Sequence, residues 1–250
     1  MFSFPYSNDS YSQLFRGETA ECVCQGLMDI FNYIGGVPTL LVFDNATGVG
    51  HRVMGQIHET ELFARFRAHY GFRIRFCNPY AGYEKGNVEN KVGTTRRNLF
   101  VPIPTYHDIE AYNRTLLDQH VKKASESHYK KGNVISELFE EDRKHFFLLP
   151  AKPFQVCRYE TCRADGYGKI CLDGKHFYST KPENHNKRVM VGIRAHYIDI
   201  LEPNGDLLVR HMRQYGNTRT DISDYSTSLE MLSKNIGAWD NSGFRTMSLR

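Results

Sequence analysis

A chain of 250 residues, 40% hydrophobic and 24% charged, is long enough for one catalytic-sized unit plus a smaller second one and apolar enough to bury a real core. Its formal charge of +4 permits a polyanionic partner without requiring one. No apolar run approaches the roughly 18 residues that span a bilayer, and the opening MFSFPYSNDS lacks a signal peptide's basic start and apolar stretch, so a cytoplasmic protein is expected.

In chain order the elements begin with a hairpin, in which FSFPY and YSQLFR flank the turn-forming Ser7-Asn8-Asp9-Ser10. From Thr19 to Ile34, apolar residues at Val23, Leu27, Ile30, Phe31 and Ile34 recur at helical spacing until Gly35-Gly36 and Pro38 stop them, with Thr19 as the N-cap. TLLVFDN follows, a continuous apolar run ending in Asp44-Asn45, as expected of a strand buried on both faces. Residues 59–70 return to helical spacing through Leu62, Phe63, Phe66 and Tyr70, and RIRFC alternates as a strand with one wet face. Residues 86–100 predict another helix, closed by Pro102 and Pro104.

The expectation is therefore a mixed α/β layer over residues 1–104, with any ligand gathering at the carboxyl ends of the strands, where Asp44 sits. Residues 105–150 read as a helical connector: Thr105 and Asp108 resemble a capping box, Ile109, Tyr112 and Leu116 form a stripe, and a short helix spans 136–144. Residues 151–216 read as six short strands, RYETCRA, YGKICL, KHFYST, KRVMVGI, HYIDIL and DLLVRH, with a hairpin at Asn204-Gly205, which suggests a small barrel. Residues 217–250, rich in polar residues around one helical stretch at 229–236, read as a tail. The six cysteines, Cys22, Cys24, Cys77, Cys157, Cys162 and Cys171, form no C-x-x-C pair and no zinc-like spacing, so reduced, buried thiols are expected.

An aspartate ending a buried strand and a glutamate early in a later helix can converge when the helix packs against the strand. Unneutralised carboxylates brought together repel, and a hard divalent cation such as Mg²⁺ relieves the repulsion. Two such ions about 4 Å apart clamp the attacking and leaving oxygens of a phosphodiester displacement. The bland alternative is a turn at Asp44 and a solvated helix face at Glu89.

VFDN at 42–45, HYGF at 69–72, CNPYAGYEKGNVEN at 77–90 and RRNLFVPIP at 96–104 together resemble the catalytic core of IstA-type insertion-sequence transposases. That group belongs to the Asp-Asp-Glu transposase and retroviral integrase superfamily, and the similarity runs through nearly the whole chain. The resemblance implies a ribonuclease-H-like catalytic core, a helical connector and a small SH3-like β-barrel. It implies Asp44 as the second aspartate of the catalytic triad and Glu89 as its glutamate, both holding Mg²⁺, with Glu84 in an inserted loop ranked behind.

The superfamily's first aspartate lies on a strand that precedes a hairpin and the first helix. Here the hairpin starts at Met1, and neither Asp9 nor Asp29 matches the position. The expectation is an N-terminally truncated polypeptide that is inactive by itself and only marginally stable. The resemblance further implies DNA as transposon ends and target, a homo-oligomer on that DNA and an AAA+ ATPase helper. A non-catalytic DNA-binding fragment competing with intact transposase is the second reading, and a ribonuclease-H-like nuclease the third.

Expected DNA contacts around the carboxylates are Arg73, Arg75, Lys85, Asn87, Lys91, Arg96 and Arg97, joined by Arg65 and Arg67, because such side chains neutralise phosphates. Tyr80 and Tyr83 could stack on an unpaired base or pack beneath the loop. The barrel adds Lys187 and Arg188, among Lys169, Lys175, Lys181, Arg194, Arg210 and Arg213, though a protein-docking barrel would carry similar charges.

Overall fold

The computed structural model describes residues 1–43, 48–53, 56–77, 93–234 and 237. The chain divides into two units, Met1–Val156 and Cys157–Arg250.

The first unit opens with the expected hairpin, β1 (Phe2–Ser3) against β2 (Ser10–Tyr11), paired Phe2 to Tyr11. Asp9 in the turn is buried, accepting from the Ser10 amide at 2.7 Å and the Tyr11 hydroxyl at 2.8 Å. Helix α1 (Ala20–Ile34) buries Leu27, Ile30, Phe31 and Ile34, the stripe its spacing predicts. Thr19 does sit at the N-cap, but its hydroxyl reaches the Cys22 sulfur at 3.5 Å and makes no cap bond to the backbone.

Strand β3 (Leu40–Phe43) lies parallel to β6 (Arg73–Phe76), in register from Leu40 with Arg73 to Phe43 with Phe76, and α2 (Glu61–Tyr70) connects them. Gly71, with φ of 77°, closes α2 in the left-handed conformation, and its amide bonds the Arg67 carbonyl. A hairpin that the sequence does not announce, β4 (Gly50–Val53) with β5 (Gln56–Glu59), interrupts the crossover ahead of α2. The core joins Phe31 of α1, Phe63 and Phe66 of α2, and Phe72, each 1% exposed or less, with ring centroids 5.8 to 6.4 Å apart. Burying each contributes about 1.5–3 kcal/mol.

Strand β3 corrects one expectation. Leu41 is buried against the α1–α2 core, but Leu40 and Val42 point the other way and stay 43% and 47% exposed. A continuous apolar run looks the same whether one face or two are covered. Arg73 and Arg75, their register partners on β6, are exposed on the same open face.

Residues 93–99 are helical and are taken as α3. Helix α4 (Ile109–Ala124) is capped by Asp108, which accepts from the Glu110 amide at 2.9 Å, so the expected Thr105 capping box is replaced by a cap three residues later. Helices α4 and α5 (Ile135–Arg143) pack on the hairpin and on the far side of α1 through Leu117, Phe139, Phe4, Tyr11, Ile30 and Ile34.

All six expected strands of the second unit form: β7 (Arg158–Arg163), β8 (Lys169–Leu172), β9 (His176–Ser179), β10 (Arg188–Ile193), β11 (Tyr197–Leu201) and β12 (Leu207–Met212). They are hydrogen-bonded as two sheets, β12-β11-β10-β7 and β13-β9-β8, whose Ile170, Tyr178, Val191, Ile193, Ile198 and Ile200 share one core. The seventh strand, β13 (Thr220–Ile222), pairs parallel with β9 and comes from the segment expected to be a tail. That segment also supplies α6 (Leu229–Lys234), which buries Leu232.

The cysteine expectation holds in part. None of the six forms a disulfide, with Cys22, Cys24 and Cys157 buried, but Cys77, Cys162 and Cys171 are only half-buried.

Candidate functional site

The site expected from the sequence begins where β3 and β6 end. Because the two strands are parallel and in register at Phe43 and Phe76, their carboxyl ends lie side by side, and the Cys77 amide bonds the Phe43 carbonyl at 2.9 Å. One sheet edge thus carries both points of departure: the residue after Phe43 is Asp44, and residue 78 follows Cys77. Asp44, Glu84, Lys85, Asn87, Glu89 and Lys91, and with them Tyr80 and Tyr83, lie outside the described residues. Among the described residues no group of three or more His, Cys, Asp or Glu side chains could hold a metal ion.

The arginines expected around the site divide by their partners. Arg73 and Arg75 extend from the open face of β6, flanked by Leu40 and Val42. Arg96 and Arg97 are exposed on α3, the second lying 3.4 Å from the Thr94 hydroxyl. Arg67 instead turns to Glu59 of β5, at 2.9 Å, which commits it to holding the inserted hairpin against α2.

Acidic residues elsewhere in the first unit serve the fold. Asp29 on α1 accepts from the Gln25 amide group at 2.8 Å, and burial pushes its carboxyl up to about 6, with the negative charge of Glu110 acting in the same direction.

In the second unit the structure sorts eight cations that the sequence could only name together. Asp199, 4% exposed, accepts from Arg194 at 2.7 Å and from Arg210 at 2.6 and 3.1 Å. Burial alone would raise its carboxyl, yet the hydrogen bonds from these guanidinium groups hold it below the usual range. Arg213 is buried and donates to the Arg194 carbonyl. Lys169 bonds Asp221, Lys175 bonds Asn217, and Lys181 bonds Glu202.

Lys187 and Arg188, at the start of β10, are exposed and have no side-chain partner among the described residues. Arg163, which the sequence reading passed over, is exposed directly across from Arg188 on β7. Like charges directly opposite are destabilising, so this corner holds a positive cluster with no acidic partner among the described residues, at some cost to the sheet. Only the strand register reveals it.

No family model matches the chain. Similarity to curated proteins is extensive. A protein named transposase from Aminobacter aminovorans is 26% identical over 246 residues, covering 94% of this chain and 47% of that protein. The transposase for insertion sequences IS1326/IS1353 from Pseudomonas aeruginosa is 27% identical, over 84% of this chain and 42% of its own length. The chain is similar to insertion-sequence transposases. A third such relative, provisionally named for element IS5376 in Geobacillus stearothermophilus, is 28% identical over 69% of this transposase-like chain and 42% of its own length.

This transposase-like chain therefore spans less than half the length of each of these relatives. Among solved structures, a simian T-cell lymphotropic virus intasome in complex with the PP2A regulatory subunit B56 gamma matches with 13% identity and a TM-score of 0.38, covering 81% of this chain and 67% of that one. At that score the fold rests on the topology described above. No helix among the described residues is long and apolar enough to cross a membrane.

Proposed function

We propose that this chain is part of a DNA transposase of the IstA type, with residues 1–104 contributing to a ribonuclease-H-like core, 105–150 a connector and 151–216 a DNA-binding barrel. The observation that carries the reading is the parallel pair β3–β6. It delivers the chain to Asp44 and to the 78–92 segment from one sheet edge, where open α/β sheets place their ligands. The relatives' names supply the reaction class, DNA transposition.

In this reading Asp44 and Glu89 hold Mg²⁺, their hard carboxylate oxygens suiting that ion, and the bound metal stabilises charge on the phosphodiester under attack. The chain's own cations, Arg73, Arg75, Arg96, Arg97, Lys187 and Arg188, hold the DNA backbone, joined by Lys85, Asn87 and Lys91, the neighbours of Glu89 in sequence. Oligomerisation on transposon ends and an AAA+ helper follow from the same resemblance.

The resemblance supplies two of the three triad carboxylates within these 250 residues, so the 250-residue polypeptide is expected to bind DNA without cutting it. The test is a nicking and strand-transfer assay with Mg²⁺ or Mn²⁺ run beside duplex binding. Activity that Asp44→Asn abolishes would refute the claim of inactivity, and absence of DNA binding even at low salt would refute the transposase reading. The free cluster at Arg163, Lys187 and Arg188 supports a second reading, a DNA-binding product that competes with intact transposase, since that contact needs no catalytic carboxylate.

A further inference from the structure

From the last turn of α4 into the loop that leads to α5 the chain runs through VKKASESHYKKGN, residues 121–133, with four lysines against one glutamate. This loop is built. The His128 amide bonds the Asn133 carbonyl at 2.8 Å, the Gly132 amide returns to the His128 carbonyl at 3.2 Å, and the Ile135 amide bonds the Glu126 carbonyl at 3.0 Å. His128 is 6% exposed, and its Nδ1 accepts from the amides of both Lys130 and Lys131 at 3.1 Å. A buried ring therefore fixes the backbone from which the two lysines extend.

The same ring supports Tyr129 from beneath, with centroids 4.9 Å apart and planes 21° from parallel. Tyr129 is nonetheless 66% exposed, and the Lys130 ammonium lies over its ring, 5.3 Å from the centroid, where an incoming base would displace it toward the phosphate. The Lys131 ammonium crosses to the β1–β2 turn, donating to the Tyr6 carbonyl at 2.8 Å and sitting 3.2 Å from the centroid of the Tyr6 ring, itself 49% exposed. Neither Lys130 nor Lys131 makes an ion pair with an acid of α5 among the described residues. Glu140 and Glu141 are engaged by Arg143 and Lys144, and Asp142 accepts from the Ser7 amide.

A large aromatic ring held flat and exposed beside ammonium groups is what an unpaired nucleobase and its phosphates require. The ring takes the base's π-face and the lysines take the backbone charge. A duplex hides its base faces and offers only phosphates. We propose that Tyr129, Lys130, Lys131 and Tyr6 form a single-strand binding platform, a nucleic-acid contact separate from the β3–β6 edge, which rests on the reading of the chain as DNA-binding.

The test measures binding of the 250-residue chain to a single-stranded oligonucleotide and to the corresponding duplex by fluorescence anisotropy. Tyr129→Ala is expected to weaken single-strand binding about five-fold or more while changing duplex binding less than about two-fold, and Tyr129→Phe to retain wild-type affinity. Lys130→Ala should lower the single-strand salt slope by about 0.7. Tyr129 is exposed, so thermal unfolding should show all three variants folded. Unchanged single-strand affinity in Tyr129→Ala, or equal losses on both ligands, overturns the platform alone. If the wild-type chain binds neither ligand at low salt, the DNA-binding reading falls and the platform with it.

Discussion

Replacing both Lys187 and Arg188 with alanine separates a DNA-binding second unit from a protein-docking one. Both side chains are exposed and without a partner among the described residues, whereas Lys175 and Lys181 of the same unit are held by Asn217 and Glu202. If each free cation meets one phosphate of a duplex, the double variant loses two contacts, and the slope of log K against log salt falls by about 1.8. At about 0.15 M salt the same relation gives a loss of about 0.75 log unit per contact, or roughly 30-fold in affinity for the pair. The fold should tolerate the change, because exposed substitutions usually stay within about 0.5 kcal/mol and loss of Arg188 relieves its opposition to Arg163. Anisotropy titrations of a duplex between about 50 and 200 mM salt measure the slope, with Lys175→Ala and Lys181→Ala as controls that shift it less. A slope identical to wild type in the double variant refutes the phosphate contacts and leaves protein docking as the role of this face.

Two further predictions concern stability. The Asp29 carboxyl is raised to about 6 in the folded chain, so the native state binds its proton more tightly than the unfolded state, and stability falls as pH rises from about 4 to about 6. Asp29→Asn removes that loss: discounting a two-unit shift for partial exposure, the variant should be more stable by about 1–2 kcal/mol above pH 6 and no more stable near pH 4, as denaturant midpoints at the two pH values would show. Asp199 is the opposite case, a buried carboxylate held ionised by Arg194 and Arg210, so it contributes stability above its unfolded pKa that is lost on acidification. Asp199→Ala should cost about 2–3 kcal/mol at neutral pH, and a chemical-denaturation loss below about 0.5 kcal/mol would contradict the assigned role.

Elements driven by apolar periodicity are legible in the sequence. The stripes of α1, α2 and α4 and strands β8, β10, β11 and β12 have enough inward-facing Val, Ile, Leu and Phe to announce themselves, while β7 and β9 are marked by their alternation and flanking turns. The β4–β5 hairpin and β13 do not, because HRVMGQIHE and TDI carry few apolar residues and exist as backbone ladders completed by neighbours. Caps follow the same division. Position could be placed within a few residues, but Asp108 rather than Thr105 makes the cap bond, a choice settled by which side chain reaches a free amide.

Charged side chains are the least legible of all, because a lysine or arginine reads identically in sequence whether it binds a partner or braces the fold. In the second unit Arg194 and Arg210 grip one buried aspartate that the pairing of β10, β11 and β12 brings beneath them, and Arg213 donates to the Arg194 carbonyl, whereas Lys187 and Arg188 have no such partner among the described residues. The same logic governs β3. Its LLVF run is composed for burial on both sides, yet only Leu41 and Phe43 meet a core, while Leu40 and Val42 share an open face with Arg73 and Arg75. Two half-exposed aliphatic side chains beside two guanidinium groups with no acidic partner among the described residues suit a partner that is both apolar and anionic along one strip. Under the proposed transposase reading that partner is DNA, whose sugars lie between its phosphates.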